Sequence, residues 1–178
     1  MPITIQLPDL AAQTKFNLAR WTEILADPEL AKLSYRVETD QHGHLLMTPP
    51  PAPIHGNRQA RIGALLLQLL PDGEIFTDCP VSTAAGVKAA DVAWLAPDRR
   101  ENVAELVLFE LAPEICVEVL SPSNSAAEID EKRARYFDSG AREVWICNLD
   151  GSMSFFVGPG NLQSSASILC PAFPAAIP

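Results

Sequence analysis

A chain of 178 residues and 19.3 kDa is one domain's worth of sequence, enough to bury a single sizeable core. With 48% apolar and 20% charged residues it is neither disordered nor membrane-spanning, since no apolar run approaches the ~20 residues of a bilayer span. Thirteen Lys and Arg against twenty-two Asp and Glu leave a net charge of −9, which argues against a protein that grips nucleic acid through a broad basic face.

In chain order, Thr14 is expected to cap a first helix whose stripe is Phe16, Leu18, Trp21 and Leu25. Tyr35 to Thr39 alternates as a strand does, Gln41 to His44 supplies a turn, and Leu45 to Met47 returns, so a hairpin follows. The cluster Pro49-Pro50-Pro51 with Pro53 is an extended connector. From about His55 to Leu70, Ile62, Leu65, Leu66, Leu69 and Leu70 recur at three and four, and Pro71-Asp72-Gly73 closes that helix. Four strands are expected at Glu74 to Asp78, Lys88 to Leu95, Pro113 to Leu120 and Arg142 to Leu149. Between the last two, Ser125-Ala126-Ala127-Glu128 has the spacing of a capping box, and Gly140 stands where a helix stops with positive φ. Strand, helix, strand makes a βαβ unit with parallel strands. Asp150-Gly151 reads as a two-residue hairpin turn, returning Ser152 to Val157 antiparallel. The fold class is therefore α/β with a mixed central sheet flanked by helices.

Four cysteines at 79, 116, 147 and 170 have no metal-ligand spacing and read as buried thiols. With no basic-then-apolar leader at the start, the expected location is a reducing cytoplasm, away from membranes.

Charges that fall where burial is expected point to chemistry. In Ile115 to Leu120 both strand faces are apolar except at Glu118, which shares its face with Cys116 and Leu120. Asp91 repeats this between Ala89 and Leu95. A lone buried carboxylate is costly unless a cation or hydrogen bonds compensate it. On the capped helix, Ile129, Lys132 and Tyr136 form one stripe, which leans Lys132 toward Glu118. Two carboxylates and a lysine at a sheet edge can hold a magnesium-like cation beside a water and a phosphate, or can be a structural ion pair alone. Spacing leaves both open.

The order of these features resembles the Uma-type putative restriction endonuclease family, a branch of the PD-(D/E)XK nuclease superfamily common in cyanobacteria. The residues that carry it are a Glu-bearing hairpin strand, His55-Gly56 opening a helix, Asp91-Val92-Ala93-Trp94, Pro113-Glu114-Ile115-Cys116-Val117-Glu118-Val119-Leu120-Ser121-Pro122-Ser123, Lys132-Arg133-Ala134-Arg135-Tyr136 and Gly140-Ala141-Arg142-Glu143-Val144-Trp145-Ile146, from about Leu18 to Val157. The resemblance implies a restriction endonuclease-like domain over 1–160, followed by a C-terminal strand and Pro-rich tail over 161–178. It implies a DNA endonuclease dependent on Mg2+ or Mn2+, with Asp91 and Glu118 as metal ligands and Glu38 completing the shell. The lysine two places after the Glu in the commonest superfamily motif is here Leu120, and Lys132 matches the place from which the Uma-type branch takes it, to orient the water or offset charge on the phosphate. Ala90 stands where a proline usually precedes the Asp.

His55 and Asn57 either face this site or cap their helix, with capping the favoured reading, and Tyr136 reads as packing. Lys88, Arg99, Arg100, Arg133, Arg135 and Arg142 are the candidates for phosphate contact. Cleavage of both strands by one-site domains implies a two-fold homodimer. Against this stand the acidic charge and the absent lysine, which suit a non-catalytic interaction module that keeps the nuclease fold. A phosphodiesterase acting on RNA or nucleotides differs only in substrate.

Overall fold

The strand that is apolar on both faces lies inside the sheet, as its sequence requires. In the computed structural model, which describes residues 9–99, 103–158 and 160–178, six strands make one sheet. They are β3 (Glu74–Thr83), β4 (Gly86–Leu95), β5 (Ile115–Val119), β6 (Glu143–Cys147), β7 (Met153–Val157) and β8 (Leu162–Ser164), side by side in chain order. Only β5 and β6 run parallel, and helix α3 (Ala126–Asp138) connects them. The hairpin β1 (Arg36–Thr39) with β2 (Leu45–Thr48) is separate, and helices α1 (Leu10–Ala26) and α2 (Pro53–Leu69) complete the fold. This is the mixed α/β sheet that the pattern implies.

Alternation on β5 decides what covers each face. Ile115, Val117 and Val119 pack with Ile62 and Leu66 of α2 and with Trp145, Phe155 and Phe173. Cys116 packs on the opposite face with Ile129 and Tyr136 of α3 and with Val144 and Ile146. The C-terminal segment covers part of the first face. The Phe173 ring packs at a tilt on Trp145, centroids 4.6 Å apart, the Met153 amide donates to Ala175 O, and the Ile177 amide donates to Gly151 O. The proline-rich end is thus anchored on the chain's own sheet.

At the start of α3, Ser125 Oγ accepts from the Glu128 amide while the Glu128 carboxylate accepts from the Ser125 amide. Gly140 takes φ +103°, and Leu111 fills the space where a side chain would begin. Replacing Ser125 by Ala leaves the Glu128 amide without its acceptor and should cost about 1 kcal/mol. A thermal melt should read that as a fall of about 2–4 °C in Tm.

Three expectations change. Helix α1 begins at Leu10 with Asp9 as its cap, not at Thr14. Its buried face is Gln13, Asn17, Trp21 and Ile24, whereas Phe16 and Leu25 are 42% and 56% exposed. The polar pair can be buried because Asn17 Nδ2 donates to Ser82 Oγ and Thr83 O, and Gln13 Nε2 donates to Asn17 and Gln41 O. Next, β3 runs on to Thr83 through Asp78 at φ +48° and through Pro80. A proline is tolerated because β3 is an edge strand, and Phe109 bonds along that edge to Pro80 and Ser82. Finally, the turn before β7 is a three-residue loop. Asn148 pairs with Ser152, and Gly151 sits at φ +87°.

No helix among the described residues is long and apolar enough to cross a membrane. All four cysteines are buried and free.

Candidate active site

The ladder between β4 and β5 opens at one end, and the carboxylates stand in the opening. Its last paired residues there are Val92 and Val117, and the same register one step further sets Asp91 opposite Glu118. Backbone groups that leave a ladder must find other partners. The Val119 amide donates to Asp91 Oδ2 at 2.6 Å, and Gln59 Nε2 of α2 donates to Asp91 O at 2.7 Å. The Ala89 amide donates to Glu38 Oε1 at 3.1 Å, and Ala89 O accepts from Arg36 and from Lys132.

The hairpin brings Arg36 and Glu38 to this place. The Val87 amide donates to Thr39 Oγ1, Lys88 Nζ donates to Thr39 O, and the β1 end approaches Gly86 so closely that a Cβ there would lie 2.3 Å from Asp40 O. Arg36 pairs with Asp91 Oδ1, and its Nε lies 3.8 Å from Asp78. Lys132 Nζ sits 2.8 Å from Glu38 Oε1 and 3.0 Å from Glu118 Oε2. Tyr136 is fully buried and donates its hydroxyl to Glu118 Oε1 at 2.7 Å. His55 Nε2 lies 3.3 Å from Asp91 Oδ2.

Asp91, Glu118, Glu38 and Lys132 are therefore gathered at one sheet end. Tyr136 packs as expected and also orients Glu118. His55 does not cap its helix: the N-cap is Ala52, and the ring faces Asp91. Asn57 is exposed on α2. Arg36 and Gln59 carry no sequence signal for this role, because their partners are 55 and 32 residues away. The basic candidates are mostly spent internally. Arg99 bonds to Glu114, Arg133 pairs with Asp130 and lies over the Phe156 ring, and Arg135 pairs with Glu131 and Asp138. Lys88 holds the hairpin, Arg142 is exposed on the loop before β6, and Arg100 lies outside the described residues.

Within the cluster, three carboxylates face two permanent cations. Burial foremost, together with the charges of Asp91 and Glu38, pushes the Glu118 carboxyl above its ordinary range. Burial also acts on Glu38 and Asp91, but it is outweighed by Lys132 for the first and by His55 and Arg36 for the second, so both stay low. Burial would likewise lower Lys132, yet Glu118 and Glu38 hold it above its usual value. A surplus carboxylate in a set of oxygen donors suits a hard divalent cation. Yet no three His, Cys, Asp or Glu side chains among the described residues are gathered as a ready ligand set, and Arg36 holds one Asp91 oxygen. The donor chemistry fits a cation; Arg36 must yield that oxygen to admit one.

The hydrogen bond to Asp91 and that residue's charge outweigh desolvation and raise His55 above 6.5. A protonated His55 thus stabilises the fold. That contribution is complete below the unfolded value of about 6.5 and is lost as pH rises through the higher folded value. Melting from pH 5.5 to 8.5 should show this loss in the wild type and a flatter profile in His55→Gln.

The six-stranded mixed sheet with helices on its faces is similar to the fold of a nuclease. The chain superimposes with a TM-score of 0.63 on the crystal structure of a putative nuclease belonging to DUF820 from Anabaena variabilis, at 16% identity over 81% of this chain and 82% of that one. The model of the Uma2 family, described as putative restriction endonuclease, matches residues 22–164, and the chain belongs to that family. None of the curated proteins matches it.

Proposed function

We propose that the chain is a metal-dependent DNA endonuclease that hydrolyses phosphodiester bonds at the Asp91–Glu118 site. The observation that carries this reading is the pair of buried carboxylates facing each other where β4 and β5 separate, with one more negative charge than the permanent cations beside them offset. Asp91 and Glu118 would hold Mg2+ or Mn2+, with Glu38 at the edge of the shell. A bound divalent ion there supplies Lewis acidity and a water of lowered pKa. Lys132 offsets charge that develops on the phosphate or orients the attacking water, and Glu38 and Ala89 O hold its ammonium in position. Tyr136 fixes the Glu118 carboxyl. Arg36, once released from Asp91, is a second cation for the phosphate. Hydrolysis proceeds without a covalent enzyme intermediate, and a homodimer would cut both strands.

A second reading has its own support. Every oxygen of Asp91 and Glu118 already has a protein donor close by, as in an ion-pair cluster that holds a non-catalytic interaction module together. Supercoiled plasmid and circular single-stranded DNA, incubated at low salt with Mg2+, Mn2+ or EDTA, separate the two. The nuclease reading expects nicking or linearisation with metal and none with EDTA; intact DNA under every condition favours the module.

A further inference from the structure

A cavity of about 510 Å³ opens beside the carboxylate cluster, between α1, the β1 hairpin and the start of α2. Arg36, His55, Gln59 and Ala89 line it and also belong to the cluster, so the two spaces are continuous. Its other walls are mostly apolar or aromatic, chiefly Trp21, Ile24, Leu25 and Tyr35, with Ser34 and the Asp78 carboxylate among them. Tyr35 is 49% exposed and Leu25 more than half, so apolar surface faces solvent at the rim. Three buried polar atoms on residues of its lining lack hydrogen-bond partners among the described residues: Nε1 of Trp21, a residue 7% exposed, Nε of Arg36 and Nδ1 of His55. A buried indole N–H without an acceptor is costly, and a ligand that brings one would relieve it. The other two tryptophans have partners: Trp94 donates to Leu70 O and Trp145 to Glu143.

Resting on the nuclease reading, we infer that this cavity is a subsite for one unpaired nucleobase of the DNA, next to the bond that is cut. A volume in the range of small-molecule sites admits a base with its sugar, and a base that enters such a walled space must leave the stack of the duplex. Aromatic and apolar walls suit the faces of a heterocycle, and the Trp21 and His55 nitrogens suit its edge. Charge supports the same occupant. A chain of net charge −9, with Arg99, Arg133 and Arg135 tied in internal pairs, has little to offer a phosphate backbone. Contacts to a base then supply the affinity that phosphates do not. Strands that are single or locally opened become the preferred substrate class.

The test measures anisotropy of two labelled strands of equal length in EDTA, so that binding is read without cleavage: one of thymidines, one of abasic residues. The thymidine strand is expected to bind about tenfold more tightly, the scale of stacking one base on an aromatic wall. Tyr35→Ala and Leu25→Ser, both at solvent-exposed positions and both removing apolar wall, should bring that ratio toward one, and Trp21→Phe, which keeps the packing but removes the N–H, should lower it part of the way. Equal affinities in the wild type, or a ratio that survives both rim substitutions, would overturn the subsite. Plasmid cleavage with metal is read on the same preparations. Cleavage together with equal affinities removes the subsite alone, whereas absence of both cleavage and binding removes the nuclease reading with it.

Discussion

Asp91→Asn and Glu118→Gln are each expected to lower metal-dependent DNA cleavage on the order of 100- to 1,000-fold while leaving the chain folded. That is the scale on which loss of one group stabilising transition-state charge is felt. Amides keep the shape of the carboxylates. The carboxamide oxygen in the first variant would still accept from the Val119 amide, and that in the second from the Tyr136 hydroxyl, whereas the NH2 group meets Arg36 in the first and Lys132 in the second, so each variant keeps one hydrogen bond and loses one ion pair. Alanine is the poorer test at Asp91. It would remove the acceptor of the Val119 amide as well as the carboxylate that Arg36 pairs with, and breaking a buried pair by removing one partner already costs about 3–5 kcal/mol. Initial rates of supercoil loss, measured beside the melting curve of each variant, separate lost chemistry from lost fold. Full activity in both amide variants would mean that the reaction takes place elsewhere.

Lys132→Met should be the most destabilising single change in the cluster. The methionine fills the same space, but it leaves Glu38 and Glu118, both largely buried, with Arg36 near both and Lys88 near Glu38 as the remaining cations. The expected loss is about 3–5 kcal/mol, or about 6–20 °C in Tm for a chain of this length. The pH dependence gives the mechanism away. Without the ammonium, the Glu38 carboxyl joins Glu118 above the unfolded value of about 4.3, so the folded state binds more protons than the unfolded state. Stability is then retained at acid pH and lost as pH rises through the raised folded values. The variant's deficit against the wild type should therefore shrink toward pH 4.5 and widen toward pH 7. A deficit independent of pH would mean that Lys132 contributes by packing rather than by charge.

Most of this site is local enough to read in the sequence. Period two on β5 singles out Glu118 as the one polar residue of a doubly covered strand, and the 3–4 spacing of Ile129, Lys132 and Tyr136 turns the ammonium toward it. The Ser125 cap and Gly140 bound that helix by chemistry that acts within four residues. What escapes is set by partners far along the chain. Arg36 looks like an exposed strand residue until the hairpin docks on β4, and His55 looks like a cap until α2 crosses the end of β5. The stripe of α1 misleads for a related reason. Gln13 and Asn17 can be buried only because Ser82 and Thr83 offer them hydrogen bonds, so apolar periodicity alone selects the wrong face. Pro80 inside β3 likewise argues against a strand until its place at the sheet edge is known.

Titration calorimetry with Mn2+ tests most directly whether the paired carboxylates form a cation site. The wild type should bind the metal, with heat that disappears in an Asp91→Asn, Glu118→Gln double variant whose melting curve is unbroken. A wild type that takes up no Mn2+, or a double variant that binds it unchanged, would contradict the account.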